Sequence, residues 1–250
     1  MDIKVAFLSA KLEKLVLVYM HFPKGFEGPK GKVLKVLRAI YGLPESMRIF
    51  VEHFQSVLLN LGFKQARADK AVYVLNKGES FVWIPVFVDD MFAMENDVIL
   101  YDNIMKELQK HFQLSFLGEL KYALGIKFDI DLEKGIITMD QRAQKERLLE
   151  MAGLNECSGQ GAKTPIPKGM VLERCNEEIT TEDEEALRGF EYRTKVGKIG
   201  YLVVGTDPSL AYAFAQEARH GHSPRIIHKN AVTQTLKHIR RNLDTKLVYI

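Results

Sequence analysis

The sequence predicts an α+β fold: an antiparallel sheet with helices on one face, followed by a small helical module. Three observations carry this reading. Apolar residues recur at i, i+3, i+4 and i+7 over residues 46–61, the period of a helix with one buried face. Short runs rich in β-branched and aromatic residues alternate with such helices, in the order strand, helix, hairpin, helix, hairpin. A stretch rich in Gly, Pro and acids over 155–185 then interrupts the pattern.

In chain order, residues 2–8 read as a strand and 33–37 as another. The helix over 46–61 buries Met47, Phe50, Val51, Phe54, Val57, Leu58 and Leu61 and stops at Gly62. Strands over 71–75 and 81–88 join around Gly78. A second helix starts at an Asn96 or Asp97 cap. It presents Leu100 or Tyr101, Ile104, Met105, Leu108 and Phe112 to the core. Residues 122–130 and 136–139 form a hairpin turned at Gly135, and a helix over 141–151 is closed by Gly153. After the break, Asp207-Pro208 and Ser223-Pro224 each set a capping residue before a proline at the first helical position. Residues 247–250 look like a strand. The expected organisation is 1–154, a linker over 155–185, and a helical module over 186–250.

Composition narrows the class. Of 250 residues, 46% are apolar and 27% charged, values of a globular chain with a real core. No segment approaches the roughly 18 apolar residues of a membrane span, so no membrane partner is expected. Cys157 and Cys175 demand no oxidising compartment, and an intracellular setting follows. Net charge is only +3, but it is unevenly spread. Residues 173–191 hold eight acids against Arg174 and Arg188, whereas 195–250 hold nine Lys or Arg against three acids. A basic C-terminal quarter favours a polyanion partner, although solvated helix faces give similar counts.

The most informative feature is Asp89-Asp90, set between the apolar runs 84–88 and 91–94. If the flanks are strands, the pair occupies the turn of a hairpin. Asp is common in turns, but two-residue hairpin turns favour Asn-Gly or Asp-Gly. Two like charges beside a dry surface call for a cation, and a divalent metal held by carboxylates and substrate phosphates is the natural one.

Phe87-Val88-Asp89-Asp90 resembles the Tyr/Phe-x-Asp-Asp box of reverse transcriptases, and the wider pattern is similar to copia-type (Pseudoviridae) retrotransposon polymerases. Residues 2–8 match that family's first palm motif, and Tyr41-Gly42-Leu43 opens the second. Residues 117–122 with Leu124-Gly125-Ile126 match the segment ending in the primer grip. Thr164-Pro165, Tyr192-Arg193, Val196-Gly197, and Asp207-Pro208 with 211–213 follow in the family's order.

The resemblance implies a polymerase palm followed by a helical thumb or connection module. It implies RNA-directed DNA polymerisation, in which a primer 3′ oxygen attacks the α-phosphate of a deoxynucleoside triphosphate on an RNA or DNA template–primer. Two Mg²⁺ ions, or Mn²⁺ in their place, stabilise the attacking and leaving oxygens. Asp2 and Asp89 would bridge the metals, with Asp90 in support, because neighbours on a strand point to opposite faces. Phe7, Tyr41 and Gly42 match nucleotide-binding positions, and Leu124 and Gly125 match primer-binding ones. Lys237, Arg240 and Arg241 would suit nucleic-acid phosphates, although cations at a helix C-terminus also satisfy its dipole. A cytoplasmic virus-like particle or the nucleus is the implied setting.

Some residues depart from the family pattern. The second motif here runs Gly42-Leu43-Pro44-Glu45-Ser46-Met47-Arg48, replacing the usual Lys-Gln after Gly-Leu with Pro-Glu. Ser115-Phe116 stands where Lys-Asp is usual, and Pro85 interrupts a presumed central strand. Met1 directly precedes Asp2, so the fingers and ribonuclease H segments of a parent polyprotein are expected outside this chain. That truncation predicts little activity by these residues alone. The alternative is a non-catalytic nucleic-acid-binding remnant.

Overall fold

A computed structural model describes residues 1–12, 17–88, 90–155, 161–167, 169–173 and 179–250; Asp89, Cys157 and Cys175 lie outside them. Packing divides the chain into two compact units, Met1–Glu119 and Leu120–Ile250. The expected boundary at 154 falls inside the second unit. Both units are mixed helix and antiparallel sheet, in keeping with the α+β expectation.

The first unit contains β1 (Asp2–Ile3), α1 (Ala6–Ser9), β2 (Tyr19–Met20), β3 (Leu34–Lys35), α2 (Ser46–Asn60), β4 (Lys64–Gln65), β5 (Val72–Lys77), β6 (Ser80–Phe87), β7 (Asp90–Met91), β8 (Met94–Glu95), α3 (Val98–Gln109) and β9 (Leu114–Ser115). Its sheet runs β4-β5-β6-β7-β1-β9, with β8 also pairing with β6. Phe50, Phe54, Leu58, Ile84, Met91 and Leu108 form the heart of its core.

Helix α2 forms where the periodicity predicts, but its buried face is rotated. Ile49 is buried, whereas Met47 and Val51 are exposed. Ser46 explains this: its hydroxyl faces inward, donating to the Ile40 carbonyl at 2.6 Å and accepting from the Ile40 amide at 3.1 Å. Helix α3 is capped by Asp97, which accepts from the Leu100 amide at 3.0 Å. Gly78, at φ +63°, turns the β5–β6 hairpin.

The strand expected over 2–8 ends at Ile3. Val5 turns left-handed at φ +49°, and consecutive Ala6 and Phe7 are both buried, which an alternating strand cannot achieve. Pro85 sits in β6 opposite Val72. Its missing donor falls where the strand's pairing passes from β8 to β7.

The second unit contains β10 (Tyr122–Ala123), β11 (Ile126–Asp131), β12 (Ile136–Asp140), α4 (Arg142–Met151), α5 (Thr181–Leu187), α6 (Tyr192–Gly205), a 3₁₀ turn (Pro208–Leu210), α7 (Ala211–Ala218), α8 (Ile226–Arg241) and β13 (Leu247–Tyr249). Strands β10-β11-β12-β13 form one antiparallel sheet. Helices α4, α6, α7 and α8 share a core of Leu148, Ile199, Leu202, Val232, Leu236 and Ile239.

Lys145 and Asp207 are fully buried and paired at 3.0 Å, fastening α4 to the turn after α6. Pro224 does not open a helix as expected, because α8 begins two residues later. Asp183 of α5 takes over the capping, accepting from the Ile226 amide and the Arg225 guanidinium at 2.9 Å each. Among the described residues no helix is long and apolar enough to cross a membrane.

Candidate functional site

Strand β1 lies between β7 and β9, with Asp2 directly opposite Asp90 on one side and Ser115 on the other. Directly opposed residues of antiparallel strands project to the same face, with Cβ atoms about 4.5–5.5 Å apart. Asp2, Asp90 and Ser115 therefore share one face. Both carboxylates are half-buried, and among the described residues neither makes a hydrogen bond or ion pair. Two such groups without a cationic partner suit a hard divalent ion. Among the described residues no cluster of three potential metal ligands occurs. The third expected acid, Asp89, lies outside them.

Phe87 pairs with Asp90, so Asp90 opens β7 on a strand, while the other half of the expected turn, Asp89, lies outside the described residues. Val88 has φ +58°, the left-handed sense that a two-residue hairpin turn needs and a β-branched residue resists. Val5, just beyond β1, is the other non-glycine residue of this unit with positive φ among the described residues. The two strand ends bearing Asp2 and Asp90 are thus each followed or preceded by backbone held off its preferred basin.

Phe7 is buried in α1, not on a strand, and Tyr41 meets it edge to face at a centroid distance of 4.5 Å. Tyr41 is otherwise exposed, and Gly42 beside it has φ +94° with open space where a Cβ would stand. The Ser46 bracket on Ile40 holds this loop. Phe7, Tyr41 and Gly42 are therefore brought together. Glu45 is engaged with Arg48 at 2.9 Å, and Arg48 also grips Glu52 at 2.8 Å.

In the second unit, Leu124 is left-handed at φ +49°, and its carbonyl accepts from the Tyr201 hydroxyl. Gly125 follows at φ +71°; a Cβ there would meet Gln144 Nε2 at 2.8 Å. Next to this clamp lies an open cavity of about 310 Å³ lined by Gln144, Arg193, Thr194, Gly197, Lys198 and Tyr201. The residues expected to hold phosphates lie along the end of α8. Arg240 reaches the Leu154 carbonyl at 3.4 Å and Arg241 the Gly161 carbonyl at 3.5 Å, while Lys237 is exposed. Sequence reading singled out Arg193 only within the Tyr192-Arg193 motif and did not single out Lys198 beside it. Their signal was present: 193, 197 and 201 recur at four-residue spacing along one helix face, with Lys198 adjacent.

A family profile described as reverse transcriptase (RNA-dependent DNA polymerase) matches residues 1–168, and the chain belongs to that family. Curated relatives place it among copia-type retrotransposon reverse transcriptase domains, as its motifs anticipated. It is 28% identical over 243 residues to the retrovirus-related Pol polyprotein from transposon TNT 1-94 of Nicotiana tabacum, covering 96% of this chain and 18% of that protein. It is 29% identical over 242 residues to the Pol polyprotein from transposon RE1 of Arabidopsis thaliana, covering 96% and 16%. A putative transposon Ty5-1 protein of Saccharomyces cerevisiae is 22% identical over 251 residues, covering 100% and 78%. The chain thus spans under a fifth of the two plant polyproteins. No solved structure matches it significantly. Enzymes of this family act on nucleic-acid templates and nucleotides and generally use divalent metals.

Proposed function

We propose that the chain carries the nucleotidyl-transfer centre of a retrotransposon RNA-directed DNA polymerase, with its palm around β1, β6 and β7 and a thumb or connection module in the second unit. The register of Asp2 against Asp90 is the observation that carries this reading. A polymerase site needs carboxylates converging from neighbouring strands, and this pairing supplies them on one face.

By the family resemblance Asp2 and Asp89 would hold the metals, and Asp90, on the same face as Asp2, would add a further oxygen donor. Two Mg²⁺ ions would supply electrostatic stabilisation of the attacking and departing oxygens when bound. Phe7 and Tyr41 form an aromatic ledge for a nucleotide sugar and base, and the open space at Gly42 lets backbone approach the ligand. Leu124 and Gly125 offer a rigid turn to a primer end. The cavity of Arg193, Lys198, Gln144 and Tyr201 suits a backbone phosphate better than Arg240 and Arg241, whose donors are turned on main-chain carbonyls.

Primer extension on an RNA template with Mg²⁺ tests the reading. Any extension of a DNA primer by the chain is expected to be weak, and Asp2→Asn and Asp89→Asn to abolish it. Equal extension by these variants would remove the enzymatic claim.

One observation favours the second reading, a nucleic-acid-binding remnant without transfer. Arg48, the cation retained from the second motif, is neutralised by Glu45 and Glu52. That reading gives salt-dependent template–primer binding with no extension by any variant.

A further inference from the structure

Glu217 on α7 is completely buried in the second unit. Its Oε1 lies 2.6 Å from the Thr235 hydroxyl of α8, and its Oε2 has no partner among the described residues. The same hydroxyl lies 3.1 Å from the Pro165 carbonyl. A hydroxyl has one hydrogen, and a carbonyl can only accept. If Glu217 were ionised, Thr235 would face two acceptors with a single proton, and one buried oxygen would be stranded. The charged carboxylate would also hold a bare oxygen in an apolar interior, among the costliest arrangements in a protein. A single proton on Oε1 removes the charge and supplies the missing donor, leaving Oε2 a neutral carbonyl oxygen. Glu217 then donates to Thr235, and Thr235 donates to Pro165.

We propose that Glu217 is a neutral carboxylic acid in the folded chain, and that its proton, relayed through Thr235 to the Pro165 carbonyl, fastens the 161–167 segment to α8 until rising pH removes it. When the proton leaves to solvent, the Thr235 hydrogen turns to the carboxylate and the Pro165 carbonyl loses its donor. Other ties span the same junction. Gln234 donates to the Thr164 carbonyl at 3.2 Å, the Ala162 amide donates to the Lys237 carbonyl at 3.2 Å, and His238 Nδ1 lies 3.1 Å from the Ala162 carbonyl.

The groups facing Glu217 do not offer an alternative counter-charge. From α6, the Tyr192 hydroxyl donates its one hydrogen to the Glu217 main-chain carbonyl at 2.9 Å, so it has none left for the carboxyl. At the end of α7 and the start of α8, His220 and His228 stack on each other at 3.9 Å and meet the Leu172 and Glu173 carbonyls. Arg225 beside them is paired with Asp183 at 2.9 Å. Burial, outweighing the Thr235 hydrogen bond, accordingly pushes the Glu217 carboxyl up to about 7.

Hydrogen exchange of the Ala162 amide in the whole chain, corrected for intrinsic exchange, tests the relay. Protection is expected to fall at least tenfold between mildly acidic and mildly alkaline pH. In Glu217→Gln the side-chain amide donates to Thr235 at every pH, so protection stays constant. Thr235→Val has low protection throughout. An unchanged wild type, or the same fall in Glu217→Gln, overturns the proposal. Should Glu217→Gln fail to fold, carboxyl ¹³C titration of the wild type decides. A neutral Glu217 at mildly acidic pH is expected, and one already ionised with the exposed glutamates refutes the relay.

Discussion

Asp2 stands directly across from Asp90 on paired antiparallel strands, so two carboxylates share one face, with no ion pair to either among the described residues. Like charges in such a pair destabilise a sheet by roughly 0.2–1 kcal/mol. Asp90→Asn is therefore expected to raise the urea midpoint at low ionic strength, while wild type alone is raised further by millimolar Mg²⁺. Identical Mg²⁺ responses in the two proteins would show that the pair holds no cation.

Lys145 and Asp207 predict a different pattern. Each is almost wholly buried, and removing one partner leaves an uncompensated charge. Lys145→Met is expected to cost about 3–5 kcal/mol, and adding Asp207→Leu to recover most of it. Chemical denaturation of the two singles and the double measures this coupling; additive losses would mean the pair is not an energetic unit.

Arg193 and Lys198 are expected to contact phosphate. Replacing either with Ala is expected to lower the slope of log affinity against log salt for template–primer by about one, uniformly across sequences. Arg241→Ala changes it less, because that guanidinium is turned on the Gly161 carbonyl. Fluorescence anisotropy over a salt series reads both.

Val5 is exposed and held at φ +49°, so little packing opposes replacement. Val5→Gly is expected to stabilise the chain by about 1 kcal/mol, the left-handed penalty of a β-branched residue. A lower melting temperature would contradict the assignment of strain there.

The Ile226 amide, the Arg225 guanidinium and Thr180 hold the Asp183 carboxyl well below its ordinary 3.8. A depressed carboxylate contributes stability that is complete above the unfolded value and lost as pH falls through the folded one. The stability gap between wild type and Asp183→Asn is thus expected to be constant from neutrality down to about pH 5, and to close at lower pH. Melting curves over that acid range check it.

How much of this was readable beforehand depends on the range of the interactions. Helix α2, the Asp97 cap and the β11–β12 hairpin rest on periodicity and local turn chemistry, and all were legible. Most of the buried face of α2 was legible too, in Phe50, Phe54, Val57 and Leu58; the inward turn of Ser46 was not, because it bonds to Ile40 across a loop whose closure no periodicity encodes. The strand expected over 2–8 failed for a related reason: Val5 adopts a conformation its own side chain disfavours. Asp90 could be read as part of an acidic pair, but not as the residue opposite Asp2, since register is a property of two strands. The basic end of α8 was legible as charge alone; that Arg240 and Arg241 turn on main-chain carbonyls is tertiary.

The Ser46 bracket has one more consequence. By gripping both the amide and the carbonyl of Ile40, it closes the loop bearing Tyr41 and Gly42 before any ligand arrives. The disorder of that loop is lost during folding and need not be lost again at encounter. A molecule docking against Tyr41 meets a surface already in shape, so its arrival is governed by diffusion and its residence by contact.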